Sequence, residues 1–570
     1  MDKYKIGRVV SVSGEKLLIS LFPLSSDESS GVSESMQVVV NTSAGPKNIL
    51  IGQPGSFVTI QIPGSELLCL VAGIDMKESL PSSAEQKSAE ALQEYPVDNC
   101  IRELVCIPIG TIDTENNFER GSDVLPTVNA LAYAVPIDVI DKIYASYAEG
   151  DFAIGNLSLV PEQEAKINLD SFLSRHAAIL GQTGGGKSWT VASILQSIAR
   201  FPQATTILLD PHGEYGSAFE EDYADVISVD ELEFPYWLMN SEELIGLMVD
   251  RSEAAAPNQV AKFKELLQSA KEMHSENQEL GIPKINVDTP VYFDFNSILR
   301  QFEFLDTQTV TGTQGRPVKG PLNGQFTRLL MRANSRLNDR RYDLIFNPHT
   351  YNTSASMEEL FRRLLGMMVN SPKKVVVLDL SPIPFDVRNS VISLILRCLF
   401  DFGYWYKRLH DEPFPIAIFC DEAHVYLNDR DVTASASRFS AEKIAKEGRK
   451  YGISLTVISQ RPREVSATIL SQCGNFLCLR TTNPDDQSYI KNLLPDNIRG
   501  VVSIFQTLRR GECILLGDAV LMPTRIKISP PMPRPSSNDA SFSHVWGQES
   551  FEVDVSHVLD AWRKQSIVTE

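Results

Sequence analysis

For its length the chain is short of both histidine and cysteine, with eight of each in 570 residues. The cysteines are scattered. The closest pair, Cys473 and Cys478, has no second pair and no clustered histidine to complete a zinc set, which excludes a metal finger. Cys398, Cys420 and Cys478 lie inside apolar runs and are expected to be reduced core residues of a cytoplasmic protein. No stretch of eighteen apolar residues occurs, so no membrane-spanning helix is predicted. Met1 to Lys5 leads directly into strand-like sequence without the apolar centre and cleavage site of a signal peptide. Positive charge is also in deficit: 53 Lys and Arg stand against 72 Asp and Glu, a net charge of −19. That balance argues against a surface coated for nucleic acid, yet it leaves room for a local basic channel. The length allows two to four domains.

Against these absences one stretch stands out. Gly181-Gln182-Thr183-Gly184-Gly185-Gly186-Lys187-Ser188 satisfies G-x-x-x-x-G-K-[ST], the loop that wraps nucleotide phosphates. Its glycines permit positive φ and leave space for backbone N–H groups to converge on phosphate oxygens. The pattern needs a strand before it and a helix after it. His176 to Leu180 is a short apolar run, and from Trp189 onward Val191, Ile194, Leu195 and Ile198 recur at helical spacing. Gly181, Thr183, Gly184, Gly185, Gly186, Lys187, Ser188 and Trp189 are therefore the candidate nucleotide contacts. Lys187 is expected on the β- and γ-phosphates of ATP, and Ser188 on Mg²⁺.

The remaining chain divides around this loop. Residues 1–160 carry short β-branched runs at barrel-like spacing: Ile6–Val10, Lys16–Leu21, Met36–Val40, Phe57–Ile62 and Leu67–Ala72. Ser25 to Ser35 is Ser/Asp/Glu-rich and expected to be a mobile loop, and 76–98 is a polar connection. Residues 161–234 and 346–528 alternate strand and helix, as a RecA-like α/β core with a parallel sheet does. Its strands are expected at Thr205–Asp210, Lys374–Leu380, Ile416–Cys420, Ser454–Ser459, Phe476–Leu479 and Cys513–Leu516. Residues 235–345 read as an inserted helical subdomain, one helix of which, with Arg328, Arg332, Arg336, Arg340 and Arg341, is locally basic. That cluster suits a solvated face first and a polynucleotide contact second. A proline-rich stretch from Ser529 to Pro535 ends the core, and 529–570 forms a C-terminal arm.

A hydrolytic site also needs carboxylates. The apolar strand Ile416–Cys420 ends in Asp421 and Glu422, suited to hold the Mg²⁺ shell and to polarise the attacking water respectively. A second strand ends at Asp210, followed by Pro211, His212, Gly213 and Glu214. Asp210 and Glu214 suit a metal-water shell, and equally a turn opened by Asp-Pro. Gln460 lies at a strand end, where an amide can sense the γ-phosphate. Arg449 precedes that strand, on the opposite edge of the sheet. It suits an arginine finger reaching a neighbouring subunit, or a helix-terminal cation favoured by the macrodipole.

Taken together, the N-terminal barrel, Arg175 to Ser188, Asp210 to Tyr215, Asp421-Glu422-Ala423-His424, Glu447-Gly448-Arg449-Lys450 and Ser459-Gln460-Arg461-Pro462 resemble the HerA helicase/translocase family. That family lies in the HerA–FtsK branch of P-loop ATPases, and this chain resembles a bacterial member. The resemblance implies a homo-hexameric ring that hydrolyses ATP between subunits and threads double-stranded DNA through its channel. It implies a cis arginine at Arg175, a trans finger at Arg449, the catalytic carboxylate at Glu422 and a γ-phosphate sensor at Gln460. It also implies a separate effector, a nuclease or a sirtuin-like NADase, and for bacterial relatives a role in anti-phage defence. Gln182 and Gly185 depart mildly from the family loop. The acidic balance keeps open a second expectation, an ATP-binding ring that serves mainly as a scaffold for the effector.

Overall fold

The computed structural model describes most of residues 5–564, leaving out chiefly 23–36, 79–99 and 145–150 and several short stretches. The Ser/Asp/Glu-rich stretch and nearly all of the polar connection lie outside the described residues. The chain forms two units, Met1–Pro535 and Ser536–Glu570. The second contains two short helices, Phe542–Trp546 and Val555–Lys564.

The first strands are β1 (Lys5–Val12) and β2 (Leu17–Leu21); β3 (Gln37–Thr42) and β4 (Gly45–Leu50) pair as a separate hairpin. They are followed by β5 (Phe57–Ile62), β6 (Ser65–Glu78), β7 (Cys100–Ile112), β8 (Phe118–Arg120) and β9 (Leu131–Ala134). The order β2-β1-β9-β5-β6-β7 closes on itself through β2–β7 pairing, giving an antiparallel barrel with β8 on its rim. Alternation along β6 shows how the barrel is mounted. Leu67, Cys69 and Val71 fill the barrel, while Leu68, Leu70 and Ala72 join the larger core of the rest of the unit. A period of two gives one strand two buried faces.

The large sheet contains β10 (Ala153–Leu157), β11 (Val160–Lys166), β12 (Ala177–Leu180), β13 (Thr206–Asp210) and β14 (Ala224–Ile227). After the insertion, whose hairpin is β15 (Thr309–Thr311) and β16 (Pro317–Lys319), come β17 (Val375–Asp379), β18 (Ile416–Cys420) and β19 (Ile453–Ser459). The last strands are β20 (Asn475–Leu479), β21 (Glu512–Gly517) and β22 (Thr524–Ile528). The order is β11-β10-β22-β21-β20-β12-β19-β18-β13-β17-β14. From β20 to β14 every pairing is parallel, and from β20 to β11 every pairing is antiparallel. A P-loop ATPase fold with a mixed sheet results. The short link from β21 to β22 allows only an antiparallel return, since a parallel one needs a crossover. The β10–β11 hairpin belongs to this sheet and not to the barrel, so a boundary at residue 160 falls inside it. Short β runs look alike in sequence whichever sheet they join.

The helices that matter for the site are α1 (Lys187–Ile198), α2 (Phe385–His410) and α3 (Ser435–Glu447). In the insertion, the basic helix Thr327–Leu337 uses its cations internally. Arg332 donates to the Met248 carbonyl and pairs with Glu253 at 2.6 Å, and Arg336 lies over the Tyr342 ring. The seven cysteines among the described residues recorded as free are all buried. No helix among the described residues is long and apolar enough to cross a membrane.

Candidate nucleotide site

β12 is wholly buried between β19 and β20, and the chain leaves its carboxyl end through the glycine loop into α1. Gly186 shows why glycine is required there: its φ is 101° and it caps α1 in the left-handed region. At Gly181 a Cβ would lie 2.7 Å from the Leu479 side chain. The loop is tied down on both sides. Gln182 N–H donates to the Arg480 carbonyl (3.1 Å), and Gly511 N–H donates to the Gly185 carbonyl (3.3 Å). Lys187 is buried, and its charge falls on Glu422.

The carboxylates gather at the same edge. Ser188 Oγ donates to Glu214 Oε2 at 2.6 Å. Asp421 is buried at the end of β18, where burial first, and then Glu422, Asp210 and Glu214, push its carboxyl well above the usual range. Such a group of like charges calls for a cation. The donors are a hydroxyl and carboxylate oxygens, the hard set that Mg²⁺ takes when phosphate and water fill the rest of its shell. Among the described residues no three metal-binding side chains form a closed cage. Ser188 and Asp421 thus fit a nucleotide-bound Mg²⁺.

Glu422 stands in the left-handed region at φ 43°, uncommon outside glycine, which turns it away from the line of β18. Burial works to raise its carboxyl, but His424, at 3.2 Å, and Lys187 overcome that and hold it below the ordinary value. It is therefore ionised at neutral pH, as a group that polarises water must be. The Thr183 hydroxyl donates to Gln460 Oε1, so the structure brings Gln460 to the loop.

Two expectations change. Asp210 is fully buried, and its carboxylate accepts from the N–H groups of His212, Gly213 and Tyr215 at 3.2, 2.8 and 3.0 Å. Its oxygens hold the turn that presents Glu214, so the residue that meets Ser188 is Glu214. Arg175 lies at the amino end of β12, beyond the strand from the loop, and pairs with Asp518 at 3.5 Å. Four strand residues cover about 13 Å, too far for a cis contact with phosphates on its own loop. Arg449 occupies the same edge, before β19, and is exposed with no ion pair recorded among the described residues. Its charge is felt by His176, next to Arg175. Two further segments meet the loop through their backbone: the Arg480 carbonyl, after β20, and Gly511 N–H, before β21. Arg480 shows the cue that picked out Gln460, a polar residue at a strand's carboxyl end. Gly511 has no local signal, because its segment is brought to the loop only through the β20–β21 pairing.

Residues 152–399 match the family model for the central domain of the helicase HerA. That stretch is similar to the central domain of HerA helicases. The P-loop core it belongs to is that of an ATPase. The HerA double-strand break repair helicase of Saccharolobus solfataricus is 28% identical over 417 residues, 72% of this chain and 75% of the relative. A probable helicase of Methanocaldococcus jannaschii is 25% identical over 508 residues, 87% of this chain and 90% of the relative. Among solved structures, VirB4 of Thermoanaerobacter pseudethanolicus aligns with a TM-score of 0.46 at 15% identity, covering 67% of this chain and 96% of that one. The family-model match ends before Asp421, Glu422, Arg449 and Gln460.

Proposed function

We propose that this chain is a ring-forming, ATP-dependent DNA translocase of HerA type, working in the cytoplasm as a hexamer with a separate effector such as a nuclease or sirtuin-like NADase. The observation that carries this reading is a carboxylate cluster around the glycine loop at one edge of the sheet and an exposed arginine at the other. Lys187, Ser188, Glu214, Asp421, Glu422 and Gln460 share the carboxyl edge. Arg449 stands exposed at the other. β19 has seven residues, about 23 Å of extended chain, between Arg449 and Gln460. An arginine there serves ATP only across a subunit boundary, and a closed ring supplies one such boundary per site.

In that arrangement Lys187 and the loop N–H groups hold the phosphates. Ser188 and Asp421 would hold a Mg²⁺, which would supply counter-charge to the phosphates. Glu422 orients the water for in-line attack, Gln460 contacts the γ-phosphate, and Arg449 from the neighbouring subunit meets the developing charge. The curated relatives named HerA are double-strand break repair helicases, which supports duplex DNA as the track. The effector and a part in anti-phage defence rest on family resemblance.

The net charge of −19 favours one second reading, a ring that binds ATP chiefly to assemble its effector. ATP turnover measured with and without linear duplex DNA separates the two. Stimulation by DNA supports the motor, and turnover indifferent to DNA at all salt concentrations contradicts it.

A further inference from the structure

The proline-rich segment after β22 runs back across α1, the helix that begins with Lys187 and Ser188. Its path is fixed by hydrogen bonds at three of its residues. Met532 N–H donates to Gln196 Oε1 (2.9 Å), Gln196 Nε2 donates to the Pro533 carbonyl (2.9 Å), and Ser217 Oγ donates to the Arg534 carbonyl (3.0 Å). Gln196 lies on α1, and Ser217 follows the turn that holds Glu214. Prolines 530, 531, 533 and 535 restrict the backbone further. The strap therefore touches both elements that form the phosphate end of the site.

This path sets the Arg534 guanidinium on the indole of Trp189, 5.1 Å from the ring centroid. Trp189 is partly exposed and immediately follows Ser188; Arg534 is exposed, with no carboxylate recorded against it among the described residues. A planar cation lying on an aromatic ring, beside a phosphate cradle and without a counter-charge, makes a flat polarised surface. Lys187 and Glu422 mark the γ-phosphate end of a bound nucleotide, so the nucleoside lies toward the other end, where the first turn of α1 continues into Trp189.

We propose that Trp189 and Arg534 form the platform on which the purine base of the nucleotide stacks, and that the strap 529–535 is a working part of the nucleotide site. The proposal rests on the loop being a nucleotide site. Purine rings stack on guanidinium and indole planes, and losing one such contact weakens binding by roughly tenfold. Inorganic tripolyphosphate carries the phosphates without the base and isolates the platform.

The test is calorimetric titration of the full-length protein with Mg-ATP and with Mg-tripolyphosphate, comparing the parent with Arg534→Ala, Gln196→Leu and Lys187→Ala. Arg534→Ala is expected to weaken ATP by roughly tenfold and leave tripolyphosphate unchanged. Gln196→Leu, which releases the strap without touching the platform, is expected to give a smaller loss with the same selectivity. Lys187→Ala is expected to weaken both ligands. Unchanged ATP binding in Arg534→Ala overturns the platform, as does an equal loss of tripolyphosphate. Failure of the parent to bind either ligand overturns the nucleotide site itself, and the platform with it.

Discussion

The two edges of the large sheet differ in chemistry. At the carboxyl edge, acceptors crowd together: Asp421, Glu422, Glu214 and the turn held by Asp210, with Lys187 among them. At the amino edge stand Arg175 and Arg449, the first in a half-exposed pair with Asp518 and the second exposed, with no ion pair recorded among the described residues. One edge has an excess of negative charge and buried groups; the other has exposed cations. A single subunit cannot bring them together, because rigid strands hold them apart. Two subunits can, and the difference between the edges is what a shared site between copies requires.

The largest expected effects fall on chemistry at the two edges. Arg449→Ala should lower ATP turnover by roughly 10³-fold or more while nucleotide binding is retained, as loss of an arginine finger does. Glu422→Gln should lower turnover by roughly 10²–10⁴-fold. Steady-state hydrolysis beside nucleotide titration checks both. Full activity in Arg449→Ala would break the comparison, and lost binding in Glu422→Gln would mean that this carboxylate holds structure instead of water.

A middle-sized effect concerns stability at the amino edge. His176 is buried with φ 52°, and its Nδ1 accepts from Leu455 N–H at 3.0 Å. Burial first, and then the charge of Arg449, lower its pKa to about 4. The unfolded chain takes up the proton at its ordinary pKa, near 6.5. Stability is therefore full above about pH 6.5 and falls as the pH drops toward 4, by on the order of 3 kcal/mol, with no further loss from this group below that. Denaturant unfolding at pH 7.5 and pH 5 measures the slope. His176→Asn should flatten it, since asparagine tolerates positive φ and does not titrate.

The smallest effect sharpens the comparison at Arg175. Its pair with Asp518 is about half exposed on both sides, so Arg175→Ala should change stability by less than about 1 kcal/mol. If turnover falls while thermal stability holds, Arg175 serves the neighbouring site beside Arg449. If neither moves, the ion pair with Asp518 is its whole role.

What was legible in the sequence was local. The glycine loop, the strand ending at Asp421, and Gln460 at the end of β19 each combine a periodic segment with a polar terminus, and each lies at the edge its segment dictates. What was not legible depends on pairing between distant segments. Gly511 N–H reaches the loop because β21 returns antiparallel beside β20. Asp210 suited a metal-water shell and a turn equally in the sequence, and only the fold shows its carboxylate accepting from three N–H groups of that turn. Arg175 sits twelve residues before Lys187, yet the strand between them points one residue toward each edge. The antiparallel half of the sheet was hidden for the same reason, since strand direction is not written in any single run.

Mixing subunits tests the division of the site most directly. Glu422→Gln and Arg449→Ala proteins, each inactive alone, are combined over a range of ratios and assayed for ATP hydrolysis. If the site is shared, a mixed ring contains boundaries where an intact Glu422 meets an intact Arg449. Turnover then reappears, with a maximum near equal proportions. If turnover stays at the level of the separate variants although the subunits are shown to co-assemble, Arg449 does not act across the boundary, and the account of a site built from two edges is wrong.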